Sequence, residues 1–103
     1  MLWDKNKYAV KLHGGRGRLV TKPMHGMIQH LIVSPANDTT VWSLSICDGE
    51  GDEIVYRSDI LGRFDDRQEL PVGRDKPESL AVLLFDSTAN EEFDVIFKVR
   101  EVR

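Results

Sequence analysis

A single cysteine, Cys47, stands in a chain of 103 residues. One thiol excludes an internal disulfide and suits a reducing compartment. Histidine is scarce too, at three residues, His13, His25 and His30. Zinc sites usually show His or Cys ligands two to four residues apart, and no such pair exists here. His25 and His30 are five apart, which puts them on opposite faces of a strand. Long hydrophobic runs are missing as well. The stretch Leu80-Ala81-Val82-Leu83-Leu84-Phe85 is far short of the roughly 20 residues a membrane span needs, so no membrane partner is expected. The start, Met1-Leu2-Trp3-Asp4-Lys5, leads into no apolar export segment, so synthesis in a cytoplasm is expected. Catalytic patterns are absent: no Gly-x-Ser-x-Gly elbow, and in Gly15-x-Gly17 neither a third glycine nor the Lys-Ser/Thr of a phosphate loop. The expectation is a non-enzymatic protein with no cofactor and no metal.

What the chain does have is a charge split by position. Residues 1–33 hold Lys5, Lys7, Lys11, Arg16, Arg18 and Lys22 against Asp4, so 6 − 1 = +5. Residues 34–103 hold the other 14 − 6 = 8 basic and 17 − 1 = 16 acidic residues, so 8 − 16 = −8, and the sum is the net −3. The reading is a basic N-terminal arm or first strands (1–33) on an acidic body (34–103). Such a split favours a protein partner, including other copies of this chain, through the six basic residues. Trp3 lies in a polar context, Leu2-Trp3-Asp4-Lys5-Asn6-Lys7, and is expected to anchor in a neighbour rather than in its own core. Nucleic acid is not the expected partner, because the chain is net acidic and the segment has only Trp3 and Tyr8 for stacking.

The body reads as strands. Val41 to Cys47 alternates, with Trp42, Leu44 and Ile46 on one face and Ser43 and Ser45 on the other. Asp48-Gly49-Glu50-Gly51-Asp52 reads as a hairpin turn with Ile54 to Arg57 returning. An irregular stretch from Ser58 to Pro77 has room for a short strand at Glu69–Val72. Leu80–Phe85 reads as a central strand. Phe93 to Val102 alternates, with Phe93, Val95, Phe97 and Val99 inward; Ile96 interrupts the polar face and suggests a second buried surface. Tyr8–Leu12 and Met27–Val33 are read as strands, and His13 to Arg18 as a flexible turn or arm. The fold class expected is all-β, one small antiparallel β-sandwich or barrel of about seven strands with a basic N-terminal arm.

Alternating acids at Asp48, Glu50 and Asp52, with Asp65 and Asp66 nearby in the long connection, are oxygen ligands of the kind calcium takes. A solvated hairpin turn explains them without a cation, and Glu53 stands where an EF-hand loop needs glycine. Resemblance adds a more specific expectation. The motifs are Ser34-Pro35-Ala36…Thr39-Thr40, Ser45-Ile46-x-Asp48-x-x-Gly51-x-x-Ile54-Val55-Tyr56, Gly62, Glu69-Leu70-Pro71-Val72 and Ala89-Asn90-Glu91-Glu92-Phe93-x-Val95-x-Phe97-x-Val99. With these, Ser34 to Arg100 resembles small β-sandwich proteins encoded among the structural genes of tailed bacteriophages. Residues 1–33 and the Leu80–Phe85 strand depart from that pattern. The resemblance implies a virion component made in the bacterial host cytoplasm, foremost a capsid decoration or cement protein that binds capsid subunits. The alternatives are a ligand-binding β-sandwich module for calcium, lipid or carbohydrate, and a small nucleic-acid-binding protein.

Overall fold

The computed structural model describes residues 3–67 and 69–100, with Trp3 and Asp4 described by backbone only. The strands are β1 (Trp3–Lys11), β2 (Gly17–Val20), β3 (Gly26–Ser34), β4 (Val41–Cys47), β5 (Glu53–Leu61), β6 (Phe64–Asp66), β7 (Leu70–Val72), β8 (Ala81–Phe85) and β9 (Glu92–Arg100). They form two antiparallel sheets. The first has the order β1-β9-β3-β6, with β7 also paired to β3, and the second has the order β2-β8-β4-β5. Among the described residues there is no helix. The expected class, an all-β antiparallel sandwich, is what the chain forms.

Period-2 alternation explains how the sheets meet. The inward row of β9, Phe93, Val95, Phe97 and Val99, is buried, as are Trp42, Leu44 and Ile46 of β4. Trp42 joins the two layers: its ring meets Phe93 edge-on at 5.2 Å and 79°. Its indole N–H, which would otherwise be a buried unpaired donor, reaches the carbonyl of Gly62 at 2.7 Å. Gly62 must be glycine twice over. Its φ is +68°, and a Cβ would lie 2.7 Å from the carbonyl oxygen of Asp38.

Residues 3–34 supply three strands, two to the first sheet and one to the second. β1 runs the full length of β9, from Trp3 opposite Arg100 to Lys11 opposite Glu92, without a register shift. The strand expected at Tyr8–Leu12 thus begins five residues earlier, at Trp3. The stretch expected as a flexible turn or arm, His13 to Arg18, is a tight turn at Gly14 and Gly15, both with positive φ, that feeds β2. β2 packs close on β1 because Gly17 has no side chain; a Cβ there would meet Val10 Cγ1 at 2.8 Å.

The count of about seven strands is low because β2 and β6 carry little pattern of their own. β6 lies in the stretch expected to be irregular and is held by pairing to β3. Two histidines fasten that long connection to β3's neighbourhood: His30 Nε2 donates to the Asp65 carboxylate, and His25 Nδ1 donates to the Gly73 carbonyl. Ile96 does mark a second apolar spot, since it pairs with Ile32 on the outer side of the first sheet, where Ile32 is buried.

Candidate functional site

The outward face of β2-β8-β4-β5 differs from the usual solvated side of a sandwich. β8 is apolar on both faces. Val82 and Leu84 point into the core, while Ala81, Leu83 and Phe85 point out and stay half-buried. Register sets their neighbours. Arg18, Leu83, Ser45 and Tyr56 form one row across the four strands. Val20, Ala81, Cys47 and Glu53 form the next, and Phe85 sits beside Ser43 in a third. Val20 is 55 % exposed, Tyr56 50 % and Leu61 66 %. The Tyr56 and Phe85 rings stand 6.3 Å apart, tilted by 40°.

Two walls turn one end of this face into a groove of about 1180 Å³. The first is the turn after β4. Its shape comes from Asp48, whose Oδ1 accepts the backbone N–H groups of Glu50 at 2.9 Å and Asp52 at 3.0 Å. The second is the loop from Pro71 to Ser79. Glu78 clamps the two walls together. One carboxylate oxygen accepts Gly49 N–H at 3.1 Å and the other accepts Gly73 N–H at 2.8 Å. Its backbone also exchanges hydrogen bonds with Met24, at 2.8 and 3.0 Å. The floor is Ala81, Leu83, Ser45 and Cys47, and Arg16 and Arg18 stand at the open side.

The six basic residues expected to make contact do not share one surface. Lys5, Lys7 and Lys11 are exposed on the outward face of β1, and Lys11 Nζ donates to the Asn90 carbonyl at 3.2 Å. Arg16 and Arg18 are exposed on the outward face of the other sheet. Lys22 follows β2, with its backbone N–H donating to the Tyr8 hydroxyl at 2.9 Å. The surroundings of the Trp3 side chain lie outside the described residues. Among the described residues, the ion pairs are those of Asp65 with His30 and with Arg63, so Arg16, Arg18, Arg74 and Lys76 carry their charge into the groove without an ionic partner.

The acids of the Asp48–Asp52 turn are spent partly on the backbone, and among the described residues no three His, Cys, Asp or Glu side chains converge as a metal group would. Two carboxylates elsewhere are tuned by hydrogen bonds. The His30 N–H holds the Asp65 carboxyl below its ordinary value, against an opposing effect of partial desolvation and with help from the His30, Arg63 and Arg67 charges. The Thr40 hydroxyl does the same for Glu91, again opposed by desolvation and aided by Asn37 and Lys11. Both acids are structural ties: Asp65 holds β6 to β3, and Glu91 holds Thr40 and Asn37 near the start of β4.

No family model matches the chain, and no curated protein matches it. Among solved structures it is similar to TmCBM61, a structure in complex with beta-1,4-galactotriose, with 10 % sequence identity and a TM-score of 0.43. That similarity covers 96 % of this chain and 68 % of the other.

Proposed function

We propose that this chain is a non-enzymatic docking module, a small subunit of a larger protein assembly, with the outward face of β2-β8-β4-β5 as its working surface. The observation that carries the reading is β8. A strand that shows Ala81, Leu83 and Phe85 to the outside, flanked by exposed Val20 and Tyr56, leaves a contiguous apolar strip on the surface. Strips of this kind with a charged rim mark interaction sites more often than they mark idle surface. The resemblance of Ser34–Arg100 to small structural proteins of tailed phages supplies the setting, a capsid decoration or other virion part. The test is quantitative mass spectrometry of purified particles from cells making this chain with the structural proteins encoded beside it. We expect the chain at a fixed copy number per particle, and Leu83→Asp to remove it from particles while remaining folded by circular dichroism. Absence of the wild-type chain from the particles ends the virion reading.

A second reading, a small-ligand module, is favoured by the pair of exposed Tyr56 and half-buried Phe85, since rings on a sheet face can stack on a sugar. The 40° tilt gives no shared flat platform, which places it behind the first. Titration calorimetry against soluble oligosaccharides decides it, and heat that disappears in Tyr56→Ala would bring it forward.

A further inference from the structure

We propose that the partner of this face is a second copy of the chain, bound about a two-fold axis so that the acidic turn of each copy sits on the Arg16–Arg18 corner of the other. The inference rests on the docking reading above and names its occupant.

Strand order and register place two charged features at opposite corners of the face. β8 runs from Ala81, beside Cys47 and Val20, to Phe85, beside Ser43. The turn Asp48–Asp52 follows Cys47, so it lies at the Ala81 end, toward β5. Arg16 precedes Gly17, which pairs with Leu84, so it lies at the Phe85 end, on the β2 edge. Asp48, Glu50 and Asp52 share their corner with four groups of the neighbouring loop, Arg74, Asp75, Lys76 and Glu78. That corner therefore sums to −5 + 2 = −3. On the β2 edge, Arg16 stands at the Phe85 end with Asp86 beside it and Arg18 lies one row in, opposite Leu83, giving +2 − 1 = +1 on that side.

Opposite charge at opposite corners of one face is the pattern a self-complementary interface needs. A two-fold axis in the plane of the face, along the diagonal that joins the other two corners, exchanges the turn corner with the Arg16 corner. Each acidic turn then lies over the arginines of its partner, twice by symmetry. The apolar side chains of Val20, Leu83 and Phe85 are covered between them. The strands of the two facing sheets cross near a right angle, an established way for sheets to pack. The projecting walls, which would obstruct parallel stacking of two such faces, become the knobs that fill the open side of the partner's groove.

Size sets the strength. Four strands about 4.8 Å apart and five residues at about 3.4 Å each give a face roughly 19 by 17 Å. That is roughly 320 Å², well under the ~800 Å² per partner of a standard specific interface, which puts the contact in the small, transient class. The dimer is therefore of the weak, transient kind and depends on the charges for orientation.

Sedimentation velocity across a concentration series up to about 500 µM reads the equilibrium directly, covering the micromolar range of weak complexes. We expect a monomer–dimer equilibrium that weakens in high salt. The double variant Arg16→Glu/Arg18→Glu should raise the dissociation constant at least about tenfold, as should Glu50→Arg/Asp52→Arg, because each sets like charges against each other twice. The quadruple variant carrying both changes restores opposite charges across the interface and should return to within about threefold of wild type. All these side chains are exposed, so the variants should fold, which circular dichroism checks. A wild-type chain that stays monomeric throughout the series overturns the proposal, as does a dimer indifferent to both reversals or one that the quadruple variant fails to rescue. A monomer that still enters particles through Leu83 would sink self-association alone and leave the docking reading standing.

Discussion

At the residue scale, Trp42 bears the most. It is fully buried, its ring contacts Phe93 of the opposite sheet, and its N–H satisfies the Gly62 carbonyl. Trp42→Ala should cost roughly 3–5 kcal/mol, measured by urea denaturation with an unchanged slope, because it opens a large cavity between the layers. Both the burial of Trp42 and the inward row of β9 were legible in the sequence, because alternation with period two leaves one face wholly apolar. Ser43 and Ser45 were legible as the opposite face of β4 but not as buried side chains. Their cover comes from β5 and β8 on either side, and from Glu53, which accepts the Ser45 hydroxyl at 2.5 Å. No window of β4 alone contains that information.

At the scale of elements, the long strands were visible from their own pattern, and the short β7 falls within the strand expected at Glu69–Val72, whereas β2 and β6 were not visible. β3, β4, β8 and β9 have five or more residues each and long apolar runs or alternation. β6 has three residues, Phe64–Asp66, and owes its form to β3 and the His30–Asp65 bond. The groove was illegible for the same reason. Its walls come from separate loops, and what joins them is one side chain, Glu78, reaching backbone groups at Gly49 and Gly73. Carboxylate ties of this sort make a prediction about acid. The Asp65 and Glu91 carboxyls ionise more readily in the folded chain than their ordinary values of 3.8 and 4.5. A lowered folded value means that the unfolded chain binds protons first, so this contribution to stability is present above those values and is lost as the pH falls through the folded ones. Thermal melts from pH 6 to pH 2.5 should show a steep acid limb that is shallower in Asp65→Asn and in Glu91→Gln, each of which should also lower the melting temperature at pH 6. An acid limb of unchanged steepness in both variants would mean that other carboxylates set it.

On the scale of the whole molecule, the charge split along the sequence does not map onto two bodies. Residues 3–34 are woven into both sheets, and their basic side chains end on opposite outer faces. Removing residues 1–11 should therefore abolish folding rather than trim an appendage. It strips β9 of one of its two partners along its full length, leaving only β3, and takes Val10 from the core. Loss of the cooperative melt and of chemical-shift dispersion would show this, whereas a truncated chain that melts near the wild-type temperature would make the segment dispensable. β1 and β9 also set how the molecule carries load. They are antiparallel neighbours, with Trp3 directly across from Arg100. A force applied through those two ends pulls perpendicular to the strands and meets the ladder one rung at a time, as a zipper does. Every hydrogen bond is then tested singly, so the domain yields at low force when stretched between its ends. A traction-bearing role would need the chain to be gripped across its sheet faces, where many contacts must slide at once.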